Sequence, residues 1–63
     1  QKQQKKSELE NSIAVMQWDL KQLYEEIKEE KQNKNFDKVE ELNQQVADMN
    51  RQIKEAKNEL YYL

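Results

Sequence analysis

Four glutamates in the first half of the chain have a spacing at which carboxylates on one helix could share chemistry. They are Glu25, Glu26, Glu29 and Glu30. Paired carboxylates can transfer protons or hold metal ions, but helical di-iron sites also need the histidine of a Glu-x-x-His motif. The chain has no histidine. We therefore interpret the four as a solvated acidic helix face, offset by nearby lysines such as Lys21 and Lys28.

The residue types missing from the composition exclude most other chemistry. The chain has no cysteine and no glycine, so it can form neither a thiol or zinc site nor a glycine-rich phosphate loop. We expect no catalytic residues, no metal and no cofactor, and hence a protein that is not an enzyme. With no glycine or proline to make turns, and with 38% charged residues, the 63-residue chain is typical of long solvated helices.

Three lysines near the start form the only concentrated basic segment. Lys2, Lys5 and Lys6 could contact nucleic acid or anionic lipid. They stand among glutamines in a chain of net charge −2, so we rank nucleic-acid binding last among the functions considered. No apolar run approaches the roughly 20 residues that span a bilayer, so we expect no membrane span.

Two runs of apolar side chains, spaced alternately three and four residues apart, indicate the helices that carry these residues. This spacing is the heptad pattern of a coiled coil, in which positions a and d are apolar. The first run ends at Ile27, and the second runs from Val39 to Leu63. The predicted seam consists of Leu9, Ile13, Met16, Leu20, Leu23, Ile27, Val39, Leu42, Val46, Met49, Ile53, Ala56 and Leu60.

The two runs do not join in one frame. From Ile27 to Val39 is 12 residues, whereas a continuous seam needs 7 or 14. The polar segment between them contains Asn33 and Asn35, and asparagine tolerates the left-handed conformation that often ends a helix. Either Asn35 or an acidic capping box starting at Asp37 could begin a second helix. We therefore predict a turn at about residues 33–36.

A chain that reverses at this turn forms an all-α antiparallel two-helix coiled-coil hairpin. Its seam pairs a with d positions, from Leu9 against Leu60 at the open end to Ile27 against Leu42, and Glu10 then faces Lys57. We predict helices over about 7–32 and 37–63, with two hairpins able to dimerise into a four-helix bundle. The alternative is one long continuous-helix coiled-coil dimer.

A few apolar residues remain outside the seam. Ala14, Val15 and Trp18 fall on the opposite side of the first helix and form the candidate partner patch. An exposed tryptophan beside aliphatic neighbours is a plausible anchor for a second protein, although pairing of hairpins or a longer parent protein could also cover it. Phe36 precedes Val39 by three residues, and we expect it to cap the seam at the start of the second helix.

Residues 20–49 resemble the short helical hairpin called the UVR motif. The likeness rests on the spacing of Phe36, Asp37, Val39, Leu42 and Val46, with Leu23 and Ile27 upstream. The same spacing is similar to the Rab-binding hairpins of rabenosyn-type endosomal tethers. Both families use such hairpins to dock proteins, so the resemblance implies a tight helical hairpin that binds another protein.

We therefore expect a non-catalytic coiled-coil module for protein–protein interaction, oligomerisation or intramolecular regulation. Residues 1–63 are interpreted as a single segment of a larger protein, because the apolar pattern continues to Leu63. The alternative function is a small-GTPase-binding hairpin. The expected partners are another protein or a second copy of the chain, with no small-molecule substrate. The segment carries no targeting signal, and we expect a cytoplasmic location.

Overall fold

The computed structural model describes the backbone of residues 2–63 and the side chains of residues 3–63. The chain forms two helices, α1 at Lys2–Gln32 and α2 at Phe36–Tyr61, which pack side by side as an antiparallel hairpin about 49 Å long. The predicted two-helix hairpin is confirmed, and the alternative of one continuous helix is wrong. Pairing of hairpins into a four-helix bundle stays a prediction.

Helix α1 begins five residues before the start that the apolar pattern indicated. Its first turn contains only lysine and glutamine, which are good helix formers, and no residue there interrupts the backbone hydrogen bonds. Helix formation therefore extends beyond the apolar seam, because a heptad pattern marks where a helix packs rather than where it begins.

The end of α1 is a Schellman motif built without glycine. The Asn35 N–H donates to the Glu30 carbonyl at 2.9 Å, and the Lys34 N–H donates to the Lys31 carbonyl at 3.1 Å. Lys34 takes the left-handed conformation, with φ 59°. We expected an asparagine to fill that role, but the two asparagines flank it. In many Schellman motifs the two positions occupied here by Asn35 and Glu30 make an apolar contact. In this chain they are joined by a hydrogen bond instead, in which the Asn35 Nδ2 donates to the Glu30 Oε2 at 2.8 Å.

Asn35 also stands at the N-cap of α2. Its carbonyl accepts the first helical hydrogen bond, from the Val39 N–H at 3.1 Å, but its side chain makes no capping bond. The side chain is already used in the hydrogen bond to Glu30, so one residue serves the end of α1 and the start of α2. Asp37 in the first turn places a negative charge where the helix dipole favours it.

Phe36 does not cap the seam as we expected. It is the first residue of α2, and 63% of its surface is exposed. Three residues before Val39 is a heptad e position, which lies beside the seam rather than over its end. Its ring therefore projects along one side of the hairpin.

The core is a thin apolar layer between the helices. Its buried residues are Ile13, Ile27, Val39, Leu42, Val46 and Ile53. The most enclosed is Leu42, at 2% exposure, near the turn end, where Leu20 and Leu23 also pack against the cluster. Because a two-helix layer covers only one side of each helix, the opposite sides remain exposed and available for contacts outside the chain.

Candidate protein-interaction surface

The structure places the predicted seam residues between the helices. All 13 of them are buried or half-buried, including those outside the main cluster. Leu63, which continues the apolar spacing, is 41% exposed because it follows the end of α2. The side chains with the most regular spacing are thus used to hold the hairpin together, and an interaction surface must be sought elsewhere.

The candidate partner patch lies on the outward side of α1. Trp18 is 62% exposed and Val15 is 60% exposed, and Ala14 is exposed beside them. Residues three apart on a helix are neighbours on its surface, so Val15 and Trp18 form one continuous apolar area. The nearby Asn11 and Gln22 are exposed and uncharged, whereas Lys21, three residues after Trp18, places one exposed cation at the edge of this area.

A shallow groove of about 410 Å³ adjoins the patch. It is lined by Asn11, Ser12, Val15 and Met16. Met16 is a seam residue that is only half-buried, so its flexible side chain connects the hairpin core to the outward surface. The groove gives the patch a depression beside a protruding indole, the shape on which interface anchors depend.

A second groove, of about 630 Å³, was not predicted. It lies on α2 and is lined by Arg51, Lys54, Glu55, Lys57, Asn58 and Tyr61. Most of these residues are three or four apart, which places them on one side of α2, so their proximity could have been predicted from the sequence. Tyr61 also stacks edge-to-face with Tyr62, with ring centroids 5.1 Å apart, and both rings are exposed.

The glutamates considered for chemistry remain surface groups. Glu25, Glu26 and Glu29 are exposed, and Glu30 is half-buried with its carboxylate accepting the hydrogen bond from Asn35. Among the residues that the structure describes, no three acidic side chains converge on a position that could hold a metal ion.

The basic start of α1 is partly neutralised by α2. Lys5 Nζ lies 3.3 Å from Glu59 Oε1, which also shows that the start of α1 adjoins the end of α2. The predicted neighbour pair of Glu10 and Lys57 does not come within ion-pair distance in the described side chains. The side chain of Lys2 lies outside the described residues. Glu59 therefore places a carboxylate beside the lysines at the start of α1, which were considered as a contact for nucleic acid or anionic lipid.

Neither helix of the described chain contains the apolar stretch that crossing a bilayer requires. Compared with known proteins, the chain matches no family model, no curated protein and no solved structure. The proposals below therefore rest on the surfaces of the hairpin and on the chemistry of their side chains.

Proposed function

We propose that the chain is a non-catalytic helical module that binds proteins, and that Trp18 and Val15 anchor the partner. The observation that carries this proposal is the exposure of a tryptophan and a neighbouring valine on the outward side of α1. An aromatic ring buries roughly 150–250 Å² when covered, and tryptophan is among the residues that dominate interface energies. In this module the hairpin seam is the rigid support, and oligomerisation or regulation of a larger protein follows from what the patch binds.

Photo-cross-linking tests this proposal directly. A photoreactive amino acid at position 15 is expected to capture a defined set of proteins from the source cell, and Trp18→Ala is expected to reduce that capture about 30-fold or more. The reason is that a tryptophan hot spot contributes about 2 kcal/mol or more to binding. Circular dichroism must show unchanged helicity, because Trp18 contributes little to the core.

The matched control is Tyr62→Ala, which removes another exposed aromatic ring outside the patch. It is expected to leave capture at position 15 unchanged. An identical set of captured proteins for wild type and Trp18→Ala would refute the patch as the anchor. Capture of a small GTPase that depends on bound GTP and on Trp18 would select the alternative, a small-GTPase-binding hairpin.

A further inference from the structure

The two broad sides of the hairpin carry opposite charge. In the heptad frame, e and b positions lie on one side of the seam, and g and c positions lie on the other. In an antiparallel hairpin, equivalent positions of both helices share a side. The contact of Lys5 with Glu59 demonstrates this, because both residues are g positions and their charged atoms are 3.3 Å apart.

The side formed by g and c positions, here called the acidic face, contains eight carboxylates and two lysines. Its carboxylates on α1 are Glu8, Asp19, Glu26 and Glu29. Those on α2 are Glu41, Asp48, Glu55 and Glu59. Both lysines of this face are already paired within it, Lys5 with Glu59 and Lys38 with Glu41 at 3.9 Å. The face therefore presents an excess of negative charge to its surroundings.

The side formed by e and b positions, here called the basic face, contains five lysines and two glutamates. The lysines are Lys21, Lys28, Lys31, Lys54 and Lys57, and all five are exposed. Within residues 3–63, none of them lies within 4.0 Å of a carboxylate. The basic face also carries exposed apolar side chains, namely Ala14, Tyr24, Phe36, Ala47 and Tyr61. Unpaired cations interleaved with aromatic rings are suited to an acidic, partly apolar protein surface.

We propose that the occupant of the basic face is the acidic face of a second copy of this chain. The unpaired lysines of the basic face then meet the acidic face, where eight carboxylates outnumber two lysines. Contact between two identical faces would oppose like charges on either side, so charge selects the pairing of unlike faces. Such an interface is heterologous, because it joins two different faces. Each copy of a stacked pair still has one free face, so further hairpins can add in an open series.

The available area agrees with this interface. A folded monomer of 7.7 kDa is expected to expose about 4,300 Å², whereas this chain exposes 5263 Å². One broad side measures 49 by 14 Å between backbone atoms, or about 700 Å², close to the roughly 800 Å² that each partner contributes to a standard interface. One stacking contact would therefore cover an area similar to the excess surface.

This inference specifies one partner within the proposed interaction role, yet it uses the broad faces rather than the outward edge where Trp18 lies. The two can therefore fail separately. Val15 is a c position at the border of the acidic face, so cross-linking from position 15 is compared in high salt, where stacking is expected to dissolve. Trp18→Ala is expected to leave stacking unchanged, and reversing charges on the broad faces is expected to leave the Trp18-dependent capture of other proteins unchanged.

Light scattering of the full chain at increasing concentration and two salt concentrations provides the first test. At about 20 mM salt the average mass is expected to rise at least about twofold above 7.7 kDa, and to return to it near about 500 mM salt. Screening weakens contacts between exposed charges, whereas it would not dissolve a purely apolar interface. A mass of 7.7 kDa at every concentration in low salt would overturn the proposal.

Two double variants test which faces meet. Lys21→Glu with Lys54→Glu makes both faces acidic, and Glu26→Lys with Asp48→Lys weakens the acidic face with positive charge. The first variant alone is expected to remain a monomer in low salt. The second variant keeps faces of opposite net charge and is expected to associate less than wild type, while an equimolar mixture is expected to associate more than either variant alone. The mixture is expected to associate because the unaltered acidic face of the first variant can meet the unaltered basic face of the second.

The matched control is Glu25→Lys, compared with the single change Glu26→Lys. The two glutamates are adjacent in sequence, but Glu25 is an f position on the outward edge, and Glu26 is on the acidic face. Only Glu26→Lys is expected to lower the average mass. Association as strong as in wild type for each double variant alone, or a mass that falls equally for both single variants, would overturn the stacking of unlike faces.

Discussion

Replacing Leu42 by alanine tests whether the thin layer between the helices is the main source of stability. Leu42 is 2% exposed and packs with Ile27, Val39 and Val46. Truncating a buried leucine to alanine costs about 2.7–5.0 kcal/mol in a large core. The seam here is open to water along both sides, so part of the space can refill, and we expect about 2.5–3 kcal/mol.

That loss is large for a hairpin of this size. At the usual free energy of unfolding per residue, 63 residues supply about 3–9 kcal/mol. With a denaturant dependence of about 1 kcal/mol per molar urea, the midpoint of unfolding should fall by about 2.5 M. The assay is urea unfolding followed by circular dichroism in high salt, where stacking of hairpins is expected to dissolve.

Leu63→Ala is the matched control, because it makes the same chemical change at a residue that is 41% exposed beyond the end of α2. We expect it to cost about 0.5 kcal/mol or less. Equal midpoint shifts for the two variants would refute the assignment of Leu42 to a packed core. Such a result would mean that helix propensity, rather than packing between the helices, determines the stability of the chain.

Three further predictions concern the turn and the open end. Lys34→Gly should stabilise the hairpin by about 1 kcal/mol, because glycine adopts the left-handed conformation without steric cost; thermal unfolding measures this, and an equal gain from Lys34→Ala would contradict it. Asn35→Ala should lower the free energy of unfolding by about 0.5–1 kcal/mol, because it removes the exposed hydrogen bond to Glu30. A loss of about 2 kcal/mol in the same assay would contradict this and show that the Asn35 side chain also caps α2. Lys5→Gln should cost less than about 1 kcal/mol, because the paired side chains of Lys5 and Glu59 are 55% and 53% exposed. The urea midpoints of wild type and variant should differ at low salt and converge at high salt, and a difference that survives high salt would count against this reasoning.

Most of the hairpin could be predicted because apolar spacing and helix packing have the same physical cause. Side chains such as Leu20 and Val46 recur at the period that returns them to one side of a helix, so their pattern indicates the buried side. The outward position of Trp18 follows from the same frame, since a residue opposite the seam cannot reach it.

The details of the turn could not be predicted from residue types. Asparagine is the usual substitute for glycine in the left-handed conformation, yet Lys34 adopts it here. The position is determined by the hydrogen bonds that close α1, and these leave Asn35 free to bond Glu30 with its side chain. The exposure of Phe36 has a similar origin, because its place beside the seam depends on where α2 begins.

The sequence by itself determined that this protein is helical, where each helix is apolar, and where the chain must reverse, since each of these depends on spacing along a single segment. Only the tertiary structure decided which residues of different helices share a surface. Glu26 and Asp48 belong to one acidic face because the antiparallel packing aligns the same side of α1 and α2. A charged face of this kind is shared by two helices, and it exists only after the turn has brought them together.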